Sequence, residues 1–377
     1  MAKKTLFSFE LEPGMIIAED VYRANGTILF PKHTMLNELM ISKLPTYNIM
    51  ELPIEDGPIE KPELDLDKLI ELARKDMEAK QAVKANMEDS YVQKLKAGAE
   101  YKNFCEKYDT AVSNINELIS SFIKNGDELN TDALVSSALG LMDGSTIHIF
   151  DMLHNMPVHD DSIYEHSLNV ALISATIGKW LKLPEADING LLLARLLHDL
   201  GKTEIPAELL NKRGRLTDEE FAIIKSHPKK GYELIRNIPL DVKIKEACLL
   251  HHERCDGSGY PFGVSGNKIS LYAKILAIAD VYDAMTSPRS YRQALCPFKA
   301  IEIFEQDGFY KYDLKSLMTF LENIGFSYLN NSVLLSDGRK GEIVILNKLY
   351  LSKPMVKCGE EFVDLSKFPD LTIETII

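Results

Sequence analysis

Residues 191–202, LLLARLLHDLGK, decide the fold of this chain. Their apolar side chains predict a buried helix, and its end carries the neighbouring pair His198 and Asp199. Gly201 is expected to end this helix, because a glycine often follows the last helical turn. An imidazole and a carboxylate at a buried helix end are costly without a partner. The pair is therefore either a satisfied polar contact of the core or part of a ligand set.

Further histidines and aspartates favour the ligand set. The candidate metal ligands are His166, His198, Asp199, His227, His251, His252 and Asp280. His198 follows His166 by 32 residues, and His227 follows His198 by 29, so each lies on a different predicted helix. Helix bundles commonly build metal sites from side chains on facing helices.

The donor chemistry of this set predicts two divalent ions. Imidazole and carboxylate ligands without thiolate suit Fe or Mn first, with Zn, Ni or Mg as alternatives. Successive helical residues diverge by about 100°, so we expect Asp199 to bridge two ions while His198 binds one. Two ions about 3.5–4 Å apart, with a hydroxide between them, are a common device for hydrolysing phosphate esters.

Cations near the ligand series predict contacts to phosphate. Lys202 follows His198 by four residues and can hold a phosphate oxygen, although in isolation a surface lysine would be the favoured interpretation. Arg289 and Arg292 can grip a second phosphate, or form a plain surface pair. Three histidines that precede the series have no place in it and are interpreted as core or surface residues: His148, His154 and His159.

The fold class expected from periodicity is mainly α. Residues 101–326 repeat apolar positions at helical spacing and predict a catalytic bundle of seven or more helices. Residues 1–55 predict a small α+β accessory module, in which Asn25 and Gly26 mark a hairpin. Residues 56–100 predict a linker and a connecting helix, and residues 327–377 a small β-rich tail on the bundle.

Bulk composition limits the partners. A net charge of −13 argues against a nucleic-acid polymer or an anionic membrane as partner. The five cysteines lack CxxC spacing and are expected to be free thiols. Neither a signal peptide nor an apolar run long enough to span a bilayer is evident. We therefore expect a cytoplasmic protein.

Three motifs carry a resemblance to a known family. HDLGK at 198–202, HHERCDGSGYP at 251–261 and the DxxDAxTxxRxYR-like segment at 280–292 resemble the HD-GYP subclass of the HD phosphohydrolase superfamily. The resemblance covers roughly residues 104–326. It implies an HD-type helical bundle that hydrolyses cyclic di-GMP to pGpG, and in many members onward to GMP.

The resemblance also implies roles for individual residues. Asp199 would bridge the metals, Lys202 would contact the scissile phosphate, and Asp283 would lie near the nucleophile and assist proton transfer. The substrate contacts implied are Lys202, Tyr260, Arg289 and Arg292. The loop 259–261 is a candidate docking site for a GGDEF-domain partner, and a homodimer is a further candidate. Ser162 stands where some members place a glutamate that holds a third metal, which favours a binuclear site.

Two other functions remain open at the level of sequence. The chain could be an HD hydrolase of another cyclic dinucleotide, which a panel of substrates would reveal. It could also be a non-catalytic signalling protein that binds cyclic di-GMP without turnover.

Overall fold

The fold was analysed in a computed structural model of the chain. It describes residues 3–12, 14–22, 28–30, 32–34, 36, 40–41, 44, 49–55, 95–142, 146–156, 163–210, 212, 214–287 and 294–377. The predicted connecting helix, apart from its last few residues, the turn at Asn25 and Gly26, His159 and Ser162 lie outside these ranges.

The N-terminal module contains two short antiparallel pairs of strands. The strands are β1 (Lys3–Phe7), β2 (Val21–Tyr22), β3 (Ile28–Phe30) and β4 (Glu51–Glu55). β1 pairs with β4, and β2 pairs with β3, which agrees with the predicted hairpin. A small apolar core of its own lies between them and includes Leu349 from the C-terminal part of the chain.

Most of the described chain is a helical bundle. Its helices are α1 (Ala99–Asn125), α2 (Thr131–Leu139), α3 (Thr146–His154), α4 (Ile163–Trp180), α5 (Glu185–Leu197), α6 (Ala207–Leu210), α7 (Asp218–Ile224), α8 (His227–Ile235), α9 (Val242–Leu250), α10 (Leu271–Thr286), α11 (Pro297–Ile303), α12 (Phe309–Lys311) and α13 (Leu314–Ser327). Short 3-10 turns follow α5 at Leu200–Glu204 and precede α10 at Gly266–Lys268. A π turn, Phe304–Gly308, follows α11.

The middle of the bundle is formed by α4, α5 and α10. Eleven residues of α4 and eight of α5 are buried, so both helices are apolar around most of their circumference. α9 packs against α5 and α10, and α8 packs against α9 and the turn after α5. The C-terminal end of α5 and the N-terminal end of α8 therefore meet inside the molecule.

A five-stranded antiparallel sheet follows the bundle. Its strands are β5 (Ser332–Leu335), β6 (Lys340–Ile345), β7 (Met355–Cys358), β8 (Glu361–Asp364) and β9 (Ile373–Ile376), in the order β8-β7-β6-β5-β9. Buried residues of this sheet belong to the same apolar core as the helices. The structure confirms the mainly α fold with small sheets at both ends of the sequence.

The end of α5 differs from the prediction. The helix ends at Leu197, and Gly201 lies inside the following 3-10 turn without a left-handed conformation. A Cβ at Gly201 would lie 2.0 Å from the carbonyl oxygen of His227. The glycine is therefore required by close packing against α8, rather than by helix termination.

The other expectations concern membranes and thiols. Within the described ranges, no helix combines the length and apolar character needed to cross a bilayer. All five cysteines are free.

Candidate metal centre

Four histidines converge at the ends of three helices. His198 follows the last turn of α5, His227 begins α8, and His251 and His252 follow α9. Their rings lie side by side, with centroids 4.8 Å apart for His198 and His251 and 5.0 Å apart for His227 and His252. All except His252 are essentially inaccessible to solvent. Burial lowers the pKa of each of the four imidazoles, so that they are neutral at pH 7.

Three of these imidazoles are held by backbone carbonyls. Nδ1 of His198 lies 2.6 Å from the oxygen of Arg195, and Nδ1 of His227 lies 2.8 Å from that of Ile224. Nδ1 of His251 lies 2.8 Å from the oxygen of Cys248. A carbonyl only accepts, so in each neutral ring Nδ1 carries the proton and Nε2 keeps a lone pair. This tautomer is the one that can ligate a metal through Nε2.

The free lone pairs point at one another. Nε2 of His227 lies 3.2 Å from Nε2 of His251, and Nε2 of His198 lies 2.6 Å from Oδ2 of Asp199. Oδ1 of Asp199 is buried without a hydrogen-bond partner and lies 3.4 Å from Nε2 of His227. Acceptors that face each other in a dry site require a proton or a cation between them. The donor set therefore fits a divalent metal ion.

Lys202 lies at the exposed side of this cluster. Its amino group is 2.8 Å from Oδ2 of Asp199, and about a quarter of its side chain is exposed. Burial opposes ionisation of Asp199, but the interactions with His198 and Lys202 hold its pKa well below the usual value. Asp199 is therefore a carboxylate at neutral pH and can ligate a metal ion.

His166 and Asp280 form a second cluster beside His198. Nε2 of His166 lies 3.1 Å from Oδ1 of Asp280, and its ring centroid lies 6.0 Å from that of His198. Ligand atoms of these three residues lie within 4.8 Å of one another. Burial lowers the pKa of His166, but its hydrogen bonds to Asp280 and Asp283 outweigh this and raise it.

Asp283 lies behind the ring of His166. Its side chain is 2% exposed, and Oδ2 lies 2.7 Å from Nδ1 of His166, on the side of the ring away from Asp280. Ser287 donates a short hydrogen bond to its other oxygen. A carboxylate behind the imidazole fixes the ring orientation. This contact favours an orienting role over the predicted role in proton transfer.

Sequence reasoning missed Arg195, which lies in the same cluster. The side chain is fully buried, and one guanidinium nitrogen contacts Asp280 at very short range and lies 3.0 Å from Nε2 of His166. The signal was present, because a residue three positions before His198 lies on the same helical face. The charge of Arg195 helps to hold the pKa of Asp280 well below its usual value, although burial opposes this.

Glu253, also missed, holds the loop that contains the GYP motif. Its buried carboxylate accepts hydrogen bonds from the backbone N–H groups of Phe262, at 2.7 Å, and Val264, at 3.1 Å. Tyr260 stacks on the ring of His252 with centroids 4.6 Å apart. The loop therefore forms one rim of the cluster.

The remaining predicted residues lie elsewhere. Arg289 and Arg292 are outside the described residues. His154 is a core residue, since Tyr328 and Tyr282 lie within hydrogen-bonding distance of its two ring nitrogens at 2.7 and 3.2 Å. His148 lies in α3.

Comparison with known proteins finds similarity around these residues. Residues 151–315 match the family model of the HD domain. The chain is 35% identical over 207 residues to a cyclic di-GMP phosphodiesterase of Pseudomonas aeruginosa, covering 54% of this chain and 50% of that protein. It is 42% identical over 127 residues to a cyclic di-GMP phosphodiesterase response regulator of Xanthomonas campestris, covering 32% of this chain and 33% of that protein.

A third relative acts on a different nucleotide. The chain is 34% identical over 142 residues to a 3'3'-cGAMP-specific phosphodiesterase of Vibrio cholerae, covering 38% of this chain and 31% of that protein. The chain thus spans half or less of the length of these curated relatives. The matched region contains every candidate ligand, so the part of the chain that holds the centre is similar to the HD-domain family, and its GYP motif lies at residues 259–261.

Proposed function

We propose that this chain is a metal-dependent phosphodiesterase that hydrolyses cyclic di-GMP to pGpG, with GMP as a candidate further product. One observation carries the proposal: three neutral imidazoles, of His198, His227 and His251, direct their free lone pairs toward one another and toward the ionised Asp199, with Lys202 at the exposed side. The two cyclic di-GMP phosphodiesterases to which the chain is similar support the choice of substrate.

The metal ligands proposed are those predicted from sequence, with Fe or Mn as the first candidates. A divalent ion held by His198, Asp199, His227, His251 and His252 supplies the Lewis-acid chemistry that hydrolysis of a phosphodiester requires. The orienting partner of His166 is Asp283. The prediction from sequence assigns a second ion to His166 and Asp280, which both contact the guanidinium of Arg195.

The remaining side chains bind substrate. The ammonium group of Lys202 can reach a non-bridging phosphate oxygen and stabilise the charge that develops on it. Tyr260 presents its ring at the rim of the cluster. Arg289 and Arg292 are proposed as contacts to the second phosphate on the strength of the sequence motif.

The direct test is turnover of cyclic di-GMP by the full chain loaded anaerobically with Fe²⁺ or Mn²⁺. The double substitution His198→Ala and Asp199→Ala is expected to lower kcat/KM by at least about 10³-fold, because it removes a ligand and the central carboxylate. Arg236→Ala, at an exposed arginine paired with Glu233, is the matched control and should retain full activity.

Two outcomes of this test would contradict the proposal. Equal rates in the double variant and the parent chain would refute the assignment. Tight binding of cyclic di-GMP without product, with metal present, would instead identify a non-catalytic signalling protein.

Hydrolysis of 3'3'-cGAMP is the second candidate, because a relative of 34% identity is specific for that nucleotide. Competition between equal concentrations of the two cyclic dinucleotides discriminates between them. A higher kcat/KM for 3'3'-cGAMP would replace cyclic di-GMP in the proposal.

The surroundings of the HD domain suggest further roles. We propose residues 1–55 as an accessory module, 56–100 as a connection, 101–326 as the catalytic domain and 327–377 as a C-terminal segment.

The proposed partner and location rest on separate observations. Phe262, 53% exposed beside the GYP motif, supports the proposal that this loop docks a GGDEF-domain partner. Five free thiols support a cytoplasmic location. A homodimer remains a candidate assembly.

A further inference from the structure

The inference concerns Arg195 and rests on the proposed metal-dependent function. Arg195 lies in the last turn of α5 and is one of the largest fully buried side chains of the described molecule. A permanently charged guanidinium cannot lose its proton in a protein, so it needs an anionic partner when it is buried. Asp280 is that partner.

One nitrogen of Arg195 uses both ligand atoms of the second cluster. Nη2 donates to Oδ1 of Asp280 and lies 3.0 Å from Nε2 of His166. On the other side of the ring, Nδ1 of His166 lies 2.7 Å from Oδ2 of Asp283. The guanidinium nitrogen thus lies against both Nε2 of His166 and Oδ1 of Asp280, so a cationic group already occupies the place between these two ligand atoms.

The other side of the centre has a different arrangement. There, Nε2 of His227 and Nε2 of His251 face each other at 3.2 Å, and Oδ1 of Asp199 has no hydrogen-bond partner. These acceptors still lack the positive charge that would stabilise their approach. The cluster around Asp199, His227 and His251 therefore requires a metal ion. The pair His166 and Asp280 already has the positive charge of Arg195 beside it.

We propose that the guanidinium of Arg195 takes the place of one metal ion, so that this chain binds a single divalent ion at His198, Asp199, His227, His251 and His252. Arg195 acts as a positioning residue: it holds Asp280 and His166 in place and supplies a fixed positive charge beside the ion. Two of its guanidinium nitrogens, Nε and Nη1, are buried without a hydrogen-bond partner. This centre differs from the two-ion centre that the sequence predicts.

The test counts ions in the full chain. The protein is stripped of metal, loaded anaerobically with excess Mn²⁺, desalted, and measured by elemental mass spectrometry and electron paramagnetic resonance. We expect one Mn²⁺ per chain, with the spectrum of an isolated ion. Arg195→Met removes the charge and keeps most of the side-chain volume; it is expected to bind two ions with the spectrum of a spin-coupled pair.

Two further variants locate the ions. His166→Ala should leave the count at one in the parent chain and lower it from two to one in the Arg195→Met background. The double variant His227→Ala and His251→Ala should bind none. Arg236→Ala is the matched control for loss of an arginine and should keep one ion.

Each outcome decides the proposal. Two ions in the parent chain, or one ion in a folded Arg195→Met chain, would overturn it. If Arg195→Met does not fold, the parent chain and His166→Ala still decide, since a drop in the count on loss of His166 contradicts a single-ion centre. One ion in a chain without turnover would refute the phosphodiesterase while leaving the role of Arg195 standing, and no ion at all would refute both.

Discussion

Two glycines at this centre are needed because they lack a side chain, whereas the metal-ligand candidates are needed for the atoms of theirs. Gly201 and Gly231 let the turn after α5 touch the first turn of α8, so that His198 and His227 meet. A Cβ at Gly201 would lie 2.0 Å from the oxygen of His227 and 2.5 Å from the nitrogen of Gly231. Both obstacles are backbone atoms, which cannot rotate away.

Replacing Gly201 with alanine is expected to destabilise the chain by about 1–3 kcal/mol, because the added methyl group must push α8 away. Urea unfolding of the metal-free protein measures this loss, and Mn²⁺ affinity should fall with it as His227 moves. Gly140→Ala is the matched control. Its Cβ meets only the oxygen of Ser136, at 3.7 Å, so its stability should change by less than about 0.5 kcal/mol. Equal losses in the two variants would contradict the packing argument.

At the scale of elements, α3, α10 and α13 are joined by a buried network around His154. His154 is the last residue of α3. The hydroxyl of Tyr282 in α10 lies 3.2 Å from its Nε2, and the hydroxyl of Tyr328, just after α13, lies 2.7 Å from its Nδ1. Burial lowers the pKa of His154 to about 4. A neutral ring can donate to one hydroxyl and accept from the other, so the network is satisfied without a charge.

This network predicts a pH dependence of stability. The unfolded chain binds a proton at His154 below about pH 6.5, whereas the folded chain resists it down to about pH 4. Stability is therefore lost as the pH falls through this window. Between pH 7 and 5 the free energy of unfolding of the metal-free protein should fall by about 2 kcal/mol less in His154→Gln than in the parent chain.

Urea titrations at both pH values measure this difference. Asn116→Gln, an exposed substitution without a titratable group, should keep the dependence of the parent chain. If the free energy of unfolding changes equally between pH 7 and pH 5 in His154→Gln and in the parent chain, His154 titrates normally in the folded state.

The sequence predicted the helices and the ligand series better than it predicted their neighbours. Helical periodicity and the spacing of the histidines are properties of one chain segment at a time, so they could be read directly. The contact of Arg195 with His166 and Asp280 joins three helices that are distant in sequence. The roles of Gly201 and Asp283 likewise depend on close tertiary approach, which local patterns do not encode.

At the scale of the whole molecule, the C-terminal segment links the N-terminal module to the bundle. Leu349 lies 6% exposed in the apolar core of the module. Two residues later the backbone N–H of Leu351 donates to the buried carboxylate of Glu305, in the π turn of the bundle. Ser352 donates a very short hydrogen bond to the same carboxylate. Residues 349–352 therefore contact both parts of the molecule.

This link makes a prediction about independent unfolding. Leu349→Ala should destabilise the N-terminal module by about 2–5 kcal/mol and leave the metal centre intact. Hydrogen exchange in β1 and β4 should accelerate by at least about 30-fold, while amides of α5 and the Mn²⁺ count stay unchanged. Phe362→Ala, 63% exposed on β8, is the control. Faster exchange in α5 would mean that the module and the bundle unfold together.

The three backbone carbonyls behind His198, His227 and His251 limit how this centre can diversify. Those carbonyls belong to residues three positions earlier in the chain, and exchanging a side chain there leaves the carbonyl in place. His166 alone among these four rings has a replaceable carboxylate, Asp283, behind it. Point substitutions that tune metal choice or redox behaviour through ligand basicity should therefore concentrate around His166, and a designer of altered metal preference would begin with Asp283 and Arg195.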